Sequence, residues 1–424
     1  MPPSPAKAEP KRKILIYGIN YAPEMIGVGR FTGEIGAYLA KNGFDVRVVT
    51  APPHYPGWRV APPYHVFHYT SEMRADAKVL RCPLLLRADM RGVWRLLAPF
   101  SFALTSAPVA LWEIVSGRPD IVLCVEPTLF VAPVALLAKC VGGRVILHVQ
   151  DLEIDAAFAV GHLKGDRLKN LISRLESWLL RRFSSVITIS GQMRQRLIAK
   201  GVEAHRIGLV RNWVDPTKIK PLDGPNGFRR ELGLQETDFI VLYAGNVGAK
   251  QALDVVLDAA RQLTDISQVH FVIAGDGPEK QRLMLACADL STVHFLPLQP
   301  EQRLCELLNL ADLHVLPQLS GAADLVLPSK LGGMLASGKP VLATADAGTE
   351  LFEVLRGTAI LVPAGDSTAM AGEIRNFVTA GRHPALGDGR KLAQSFARES
   401  CLARFSSYLL ATSDHDASFG SEAV

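Results

Sequence analysis

Two lysines lie beside glycine-rich turns in the C-terminal half of the chain, where they could hold an anionic ligand. Lys250 follows Gly245 and Gly248 in the stretch YAGNVGAKQ, and Lys330 precedes a glycine pair in DLVLPSKLGGMLASGKPV. Each lysine is predicted at the start of a helix, where a cation opposes the helix dipole unless an anion lies between them. Two such lysines in one domain could bind a diphosphate from both sides without a metal ion. A solvent-exposed lysine in an ordinary loop is the alternative for Lys250.

The stretch around Lys330 predicts a short helix that is weak by propensity. Ser329 is the predicted N-cap, and Gly338 is the predicted helix end. Gly332 and Gly333 each cost about 1 kcal/mol relative to alanine inside a helix, so something must approach the helix closely there. We expect the bound ligand to make that approach.

A third group of polar residues follows a predicted strand in LHVQDLEIDAAF. His148, Asp151, Glu153 and Asp155 bring an imidazole and several carboxylates to the carboxyl end of this strand. Such groups can hydrogen-bond sugar hydroxyls or transfer a proton. The alternative is that Asp151 only caps a following helix.

A loop near the N-terminus contains glycines but lacks a dinucleotide fingerprint. In ILIYGINYAPEMIGVGRFTGEIGAYL, Gly27 and Gly29 come well after the strand, and Thr32 occupies the position of a third glycine. A G-x-G-x-x-G site for NAD must follow the strand directly, so such a site is not expected. Gly27 and Gly29 still open a predicted helix whose backbone N–H groups could face a ligand oxygen. An ordinary flexible loop is the alternative.

These groups require a scaffold of alternating strands and helices. Short apolar, β-branched runs predict strands at Ile14–Tyr17, Val46–Val49, Ile121–Val125, Val145–Val149, Val186–Ile189, Ile240–Tyr243, Phe271–Ala274, Val293–Leu296, Leu313–Leu316, Val341–Ala343 and Ile360–Val362. Strands separated by helical stretches indicate βαβ units, and therefore parallel sheets with helices on both faces.

The length of 424 residues exceeds a typical single core, so two domains are expected. The Pro- and Gly-rich segment RNWVDPTKIKPLDGPNGFRRELGL separates the two series of strands. We predict an α/β fold of two doubly wound, Rossmann-like domains with an interdomain cleft, where ligands bind at the carboxyl ends of the strands. The predicted segments are a disordered tail at 1–12, domains at 13–212 and 213–390, a helix at 391–412 that returns to the N-terminal domain, and a second tail at 413–424.

The composition indicates packed globular domains and disfavours several functions. The chain is 48% hydrophobic and 21% charged, with a net charge of +5. The uneven share of positive charge in the N-terminal third favours an anionic substrate or membrane surface over nucleic acid, for which no helix with clustered Lys/Arg and no aromatic RNA-binding motif is found. The six cysteines form no C-x-x-C pair and no zinc spacing, so no metal is expected. The first twelve residues lack the apolar core of a signal peptide.

One uncharged run, LLAPFSFALTSAPVALW at Leu96–Trp112, follows Arg87, Arg91, Trp94 and Arg95. A helix buried on a sheet is the first interpretation. A surface resting on an anionic membrane leaflet is the second, because Arg and Trp at the edge of an apolar face suit the interface. A transmembrane helix is disfavoured by the marginal length and by Pro99 and Pro108 within the run.

The order of these motifs resembles one enzyme family. A G-x-G loop, H-x-Q-D, N-W-V-D, Y-x-G-N-x-G-x-K-Q, A-G-D-G-P and L-P-S-K…M-L-A-S-G-K-P-V follow one another between about Lys13 and Leu410, as in the GT-B retaining glycosyltransferases of family 4. The stretches YGINYAPE, VTAPPHYPGW, HVQDLEIDA, AGNVGAKQ and GAADLVLPSKL resemble its branch for colanic-acid-type exopolysaccharide assembly, which includes a fucosyltransferase role.

The resemblance implies roles for the matched residues. His148 and Asp151 would face the transferred sugar as the catalytic pair, in an N-terminal domain that takes the acceptor. The implied diphosphate site comprises Gly27, Gly29, Asn246, Lys250 and Lys330, and the implied nucleoside site in the C-terminal domain comprises Gly275, Asp276, Gly277, Phe295, Leu298 and Glu350.

The chain departs from the family pattern at two places. Asn246 stands where an arginine often precedes the diphosphate lysine. Many relatives carry two glutamates before A-S-G-K-P-V, but Gly333 and Leu325 align with those positions here, and Asp324 is one residue off. Glu350 is therefore the candidate to hold the ribose, with a simple helix N-terminal acid as the alternative.

The implied function is transfer of a sugar from a GDP- or UDP-sugar, GDP-fucose among them, to a polyprenyl-diphosphate-linked glycan. The enzyme would need no cofactor and no metal, would not bind nucleic acid, and would be cytoplasmic and peripheral on the inner face of the plasma membrane. Two other functions remain open, a sugar-nucleotide 2-epimerase and a non-catalytic nucleotide-sugar-binding subunit.

Overall fold

The computed structural model describes residues 11–25, 27–55, 57–87, 94–127, 129–152, 166–318, 327–380 and 386–411. The chain forms two compact units. The first is drawn from Met1–Ile189, Met193–Val210 and the C-terminal segment from Leu402, and the second is formed mainly by Arg211–Cys401 with Ser190–Gln192.

The described residues of the first unit build an eight-stranded sheet in the order β3-β4-β2-β1-β5-β6-β7-β8. The strands are β1 (Lys13–Tyr17), β2 (Asp45–Thr50), β3 (Thr70–Arg74), β4 (Ala77–Arg81), β5 (Ile121–Glu126), β6 (Arg144–Val149), β7 (Ser185–Thr188) and β8 (Ile207–Leu209). All neighbouring pairs are parallel except β3 and β4. The order reverses between β1 and β5, as in doubly wound sheets.

The second unit contains, in its described residues, a six-stranded parallel sheet in the order β11-β10-β9-β12-β13-β14. The strands are β9 (Phe239–Ala244), β10 (Val269–Ala274), β11 (Val293–Leu296), β12 (Leu313–Leu316), β13 (Val341–Thr344) and β14 (Ile360–Val362). The order reverses between β9 and β12. The eleven strands expected from apolar runs are confirmed.

Three strands, β3, β4 and β8, were not expected from the sequence. The sequence of β3 is TSEMR, and its residues are partly or fully exposed because an edge strand pairs on one side only. Ala75 and Asp76, both with positive φ, form the two-residue turn that joins it to β4. The three-residue β8 contains a glycine and is too short to give a periodic signal.

The helices fill the connections between the strands. They are α1 (Gly27–Lys41), α2 (Trp94–Gly117), α3 (Ala132–Leu136), α4 (Asp166–Leu180), α5 (Gly191–Ala199), α6 (Gly227–Leu232), α7 (Leu253–Arg261), α8 (Lys280–Ala286), α9 (Glu301–Leu308), α10 (Leu331–Ala336), α11 (Glu350–Leu355), α12 (Ser367–Ala380), α13 (Gly389–Ser395) and α14 (Arg398–Leu410). Short 3-10 helices lie at Leu129–Val131, Leu137–Val141, Ala204–Arg206 and Ala249–Gln251.

Helix α2 contains the uncharged run and packs on the sheet of the first unit. Ala98, Phe102 and Ala110 are buried, and the Tyr17 hydroxyl of β1 is 2.7 Å from the Ser106 hydroxyl. By length and composition alone Leu97–Gly117 could span a membrane, but 44% of its most apolar window is buried in the protein. The interpretation as a helix packed on the sheet is confirmed for its inner face.

The C-terminal segment is bound along its length. In the second unit Val214 pairs with Ala397, and the Val214 N–H donates to the carbonyl of Phe396 at 2.9 Å. In the first unit Arg144 donates a 3.1 Å hydrogen bond to the carbonyl of Leu409 in α14. Phe405 of the same helix is buried.

Candidate active site

The loops after β9 and β10 lie side by side at the carboxyl edge of the second sheet, beside the point where the strand order reverses. Ligands of open α/β sheets bind at such points. The N–H of Gly245 donates to the carbonyl of Ala274 at 2.9 Å, and the N–H of Val247 donates to the carbonyl of Asp276 at 2.8 Å. The two loops therefore continue the pairing of their strands beyond the sheet.

Gly275 and Gly277 are required by this pairing. Their φ angles are +144° and +157°, and a Cβ on either residue would collide with the backbone of the facing loop, at Gly245 and Val247 respectively. The neighbouring loop thus accounts for both glycines. Their contact with a nucleoside stays a prediction.

Lys330 reaches the same edge from the segment after β12. Its ammonium donates a 2.8 Å hydrogen bond to the hydroxyl of Tyr243 and lies 4.0 Å from the centre of that ring. An ideal Cβ on Gly245 would lie 3.3 Å from the Lys330 Cδ and 3.6 Å from its Nζ. The glycine therefore lets the ammonium lie against the loop backbone.

The ammonium of Lys330 is held beside a neutral group. Removal from water lowers the pKa of Lys330 to about 7, although the residue as a whole remains partly exposed. The Tyr243 hydroxyl, whose pKa is raised by burial, donates in turn to the carbonyl of Asn246 at 2.6 Å. An anion bound here would restore the charge on the lysine. Sequence reasoning missed Tyr243 although it belongs to the YAGN motif.

Asn246 and Lys250 lie on the loop after β9. The side chain of Asn246 is exposed, and Lys250 lies in the 3-10 helix Ala249–Gln251 that precedes α7. The side chain of Lys250 falls outside the described residues, so its diphosphate role stays a prediction.

The residues that the resemblance implies for the nucleoside site differ in their surroundings. The Asp276 carboxylate accepts from the N–H of Gly277 at 2.9 Å. Phe295 packs partly buried against the core of the second unit, and Leu298 is 60% exposed. Lys280, a residue that the sequence analysis does not single out, donates to the carbonyls of Gly275 (2.8 Å) and Leu296 (3.1 Å). It thereby joins the turn after β10 to the end of β11.

Glu350 takes part in an ion pair within the second unit. It is 8% exposed, and its Oε1 accepts a 2.8 Å hydrogen bond from Arg211. Thr349 is the N-cap of α11, since its hydroxyl accepts from the N–H of Phe352 at 3.2 Å. The carboxylate already neutralises a cation, and ribose binding by Glu350 stays a prediction.

His148 and Asp151 differ in exposure. His148 is 1% exposed, lies 4.9 Å edge-to-face from Phe405, and has a pKa lowered to about 3 by burial. Its ring is therefore neutral and sequestered, which disfavours a role in proton transfer. Asp151 follows β6 and is exposed at the carboxyl edge of the first sheet. Glu153 and Asp155 lie outside the described residues.

Gly27 and Gly29 lie in the first turn of α1, and Gly29 lies against a buried carboxylate. A Cβ on Gly29 would collide with the side chain of Glu24, which is 6% exposed. Glu24 accepts hydrogen bonds of 3.0 Å from the backbone N–H groups of His54 and Tyr55. Sequence reasoning indicates a ligand-binding loop here but misses Glu24, although Glu24 is the last residue of the stretch YGINYAPE.

The helix after Lys330 is confirmed, but its details differ from expectation. The prediction that Ser329 is the N-cap is wrong, because α10 starts at Leu331 with Lys330 in the cap position and no side-chain cap. A Cβ on Gly332 would meet Val214 at 3.1 Å, and one on Gly333 would meet Leu308 at 3.2 Å. These glycines therefore accommodate packing inside the second unit, and the expected approach of a ligand is not supported. Asp324 and Leu325 lie outside the described residues.

Comparison with known proteins identifies the family. Residues 27–213 match the Glycosyl transferase 4-like domain, and residues 238–380 match Glycosyl transferases group 1. WcaI of Escherichia coli (strain K12), named as a colanic acid biosynthesis glycosyl transferase, is 39% identical over 382 residues, which cover 88% of this chain and 93% of WcaI. The chain belongs to the group 1 glycosyltransferases. The family and branch indicated by the sequence motifs are confirmed.

Solved structures establish the fold of this glycosyltransferase as GT-B. Sucrose-phosphate synthase from Thermosynechococcus elongatus has a TM-score of 0.72 at 16% identity and covers 93% of this chain and 98% of its own. Anabaena Alr3699/HepE, solved in complex with UDP and glucose, has a TM-score of 0.68 at 16% identity and covers 95% and 100%. At this identity the likeness concerns the fold.

Proposed function

We propose that this glycosyltransferase moves a sugar from a UDP- or GDP-sugar, GDP-fucose among them, to a polyprenyl-diphosphate-linked glycan in colanic-acid-type exopolysaccharide synthesis. The observation that carries the proposal is the position of the Lys330 ammonium. It lies over the ring of Tyr243 and beside Gly245, at the point where the strand order of the second sheet reverses. A partly desolvated ammonium at this edge of the sheet can pair with the negative charge of a diphosphate. The relation to WcaI and the UDP bound to HepE support this substrate class.

The proposed chemistry places charge near Lys330. As the bond between the anomeric carbon and the β-phosphate oxygen breaks, the phosphate takes the negative charge, which Lys330 and Lys250 stabilise by preorganised electrostatics. The acceptor hydroxyl attacks from the face of the leaving phosphate, which takes its proton, so the anomeric configuration is retained. Since the lysines supply the neutralising charge, the proposal includes no metal and no cofactor.

Asp151 is the proposed group that orients the transferred sugar. It is exposed at the end of β6, where a carboxylate can accept hydrogen bonds from hydroxyls. His148 supports this strand end from within the core, since its ring packs on Phe405. In this proposal His148 is a positioning residue.

A thermal-shift series tests the donor. UDP, GDP, UDP-glucose and GDP-fucose are added separately. Either the UDP pair or the GDP pair is expected to raise the melting temperature, since a ligand at 100 times its Kd adds about 2.7 kcal/mol to the free energy of unfolding. That donor is then incubated with membranes that carry polyprenyl-diphosphate-linked glycan. Nucleoside diphosphate is expected only when these membranes are present. Release without acceptor glycan, or formation of an epimer, would contradict the transfer reaction.

The proposed location is the cytoplasmic face of the plasma membrane, and an apolar surface of the first unit supports it. Helices α2, α3 and α4 connect strands that advance in one direction across the sheet, so right-handed crossovers place all three on one face. Outward side chains of α2, of α4 and of the 3-10 helices that flank α3 form what we call the outer helical surface. Its members, all at least 42% exposed, are Phe100, Leu104, Leu111, Trp112, Val115, Phe130, Leu137, Leu171, Leu175 and Trp178.

Cations border the outer helical surface. The guanidinium of Arg182 lies 3.7 Å from the ring centre of Trp178, and Lys139 donates to the Arg182 carbonyl at 2.5 Å. Burial and the repulsion of Arg206 and Arg182 lower the pKa of Lys139. Anionic headgroups would relieve this repulsion while the apolar side chains enter the interface. The surface thus extends beyond the Leu96–Trp112 run to α4.

Vesicle cosedimentation tests the outer helical surface. Leu104→Glu and Leu175→Glu are each expected to weaken binding to phosphatidylglycerol-containing vesicles by about tenfold or more, because burying a leucine contributes about 1.5–3 kcal/mol. Met73→Glu adds the same charge at a 69% exposed residue of β3, outside this surface, and should bind like the parent protein. Equal loss in all three variants would assign the effect to net charge alone.

A further inference from the structure

The loop after β2 carries aromatic side chains that the proposed donor chemistry does not use. Tyr55 is 39% exposed and Trp58 is partly exposed. Their rings meet edge to face with centroids 6.1 Å apart, and the buried His54 ring lies 5.7 Å from Trp58. Tyr55 also lies against the start of α1, where an ideal Cβ on Gly27 would be 3.2 Å from its Cε1.

Buried charges fix this loop at the sheet edge. Besides the two backbone N–H groups of the loop, Glu24 accepts from the side-chain amide of Asn20 at 3.0 Å. Arg81, 1% exposed, donates to the carbonyls of Ala51 (2.9 Å) and Ala22 (2.7 Å). The loops after β1 and β2 are therefore joined by one carboxylate and one guanidinium, and the rings are presented on a fixed base.

Trp58 adopts a backbone conformation that a bulky residue seldom takes. Its φ is +52°. Such a conformation costs roughly 1–3 kcal/mol and tends to occur at functional sites. The strain has an evident structural result, since the indole is brought against both His54 and Tyr55.

The position of the rings points to a ligand. They follow the carboxyl end of β2 beside the N-terminus of α1, at the edge where open α/β sheets bind ligands. They do not belong to the outer helical surface, whose members lie on α2, α4 and the turns flanking α3. The ligand of a sugar transferase that suits an aromatic face is a pyranose ring, because one of its faces presents C–H groups and its rim presents hydroxyls.

We propose that Tyr55 and Trp58 form a platform on which a pyranose ring of the acceptor glycan stacks. This inference rests on the proposed function, since it concerns the second substrate of that reaction. Because the two aromatic rings are nearly perpendicular, the apolar face of the pyranose would stack on one of them while its edge contacts the other, and its hydroxyls would remain available to water and to polar groups of the loop. Stacking would then hold the acceptor without fixing its hydroxyl pattern, so the platform recognises a class of sugars.

Saturation-transfer NMR tests the platform directly. The probes are methyl β-D-glucopyranoside, methyl β-D-galactopyranoside and methyl α-L-fucopyranoside, each added to the full chain. The parent protein is expected to saturate the ring protons of at least one probe. Tyr55→Leu, which keeps an apolar cover over Gly27, and Trp58→Ala are expected to weaken that binding by about tenfold, as loss of an aromatic contact implies.

Matched variants separate stacking from general damage. Tyr55→Phe keeps the ring and should behave as the parent protein. Phe67→Leu removes a ring that is 70% exposed elsewhere in the first unit and should also have no effect. The proposal is overturned if the parent protein saturates none of the three pyranosides, or if Tyr55→Leu and Trp58→Ala bind them as the parent does. Uridine and guanosine are added in parallel, and weaker binding of these nucleosides in place of the pyranosides would also overturn it.

A separate measurement distinguishes this inference from the proposed function. UDP or GDP should stabilise Tyr55→Leu against heat as it does the parent protein, because Lys330 and the other residues proposed to bind the nucleotide in the second unit are unchanged. Nucleotide binding with no pyranoside binding would remove the platform and leave the donor proposal intact. Pyranoside binding in a protein that binds no nucleotide would remove the donor proposal and leave the platform.

Discussion

Lys330→Ala is expected to lower kcat/KM for the nucleotide-sugar donor by about 100- to 1000-fold, the usual effect of removing one preorganised charge-stabilising donor. The physical basis is the position of the ammonium, 4.0 Å from the centre of the Tyr243 ring and beside Gly245, where it can approach a phosphate. Steady-state kinetics with the donor identified by thermal shift provide the measurement.

A second lysine of the same unit provides the control. Lys218 forms a 2.8 Å ion pair with Glu301 and is 63% exposed, so Lys218→Ala changes the net charge equally at a site that contributes little. Its activity should equal that of the parent protein. Near-normal turnover and donor affinity in Lys330→Ala would exclude Lys330 from the diphosphate site.

The same lysine should make donor binding depend on pH. Because desolvation lowers the pKa of Lys330 to about 7, the ammonium is lost above that pH in the free protein, and a bound diphosphate must restore it by proton uptake. Affinity is therefore expected to fall by up to about tenfold per pH unit above 7. Arginine stays charged throughout this range, so Lys330→Arg should show a flatter profile in calorimetric titrations.

Whereas donor affinity should fall as the pH rises above about 7, the stability of the ligand-free protein should change in the opposite direction. The folded pKa lies below the ordinary value of 10.5, so the folded protein holds fewer protons between about pH 7 and 10.5. The free energy of unfolding of the ligand-free protein should therefore rise with pH across that window, relative to Lys330→Met. The cost of the buried charge is fully present below pH 7.

Gly275→Ala is expected to destabilise the second unit by about 2–6 kcal/mol, the sum of backbone strain and overpacking. The new Cβ would collide with the carbonyl oxygen of Gly245, and the φ of +144° is one that side chains rarely allow. Separation of the two loops should also abolish nucleotide stabilisation, because Gly245 supports the ammonium of Lys330. Scanning calorimetry with and without nucleotide measures both effects.

Gly372→Ala provides the control for this substitution. Gly372 is exposed within α12, and apart from the adjoining backbone of the helix itself no atom lies within 4 Å of an ideal Cβ there. In a helix interior the same change should be neutral or stabilise by up to about 1 kcal/mol. If Gly275→Ala melted like Gly372→Ala, the close pairing of the loops would be wrong.

The sequence by itself determined the fold class, the confirmed strands and the enzyme family. Buried parallel strands are continuous apolar runs such as Ile121–Val125, which local pattern reveals. Edge strand β3 escaped detection because its polar, exposed residues resemble a loop. The family could be recognised because the order of several weak motifs along a chain is far more specific than each motif.

Only the tertiary structure decided the surroundings of the candidate site residues. Lys330 is paired with Tyr243, which lies 87 positions away, and His148 is buried by Phe405 of the C-terminal helix. Gly332 and Gly333 were assigned to a ligand by their helix cost alone, whereas Val214 and Leu308 occupy the space beside them. Propensity and periodicity are local properties of the chain, but burial, pKa and close approach depend on which distant segments fold against a residue.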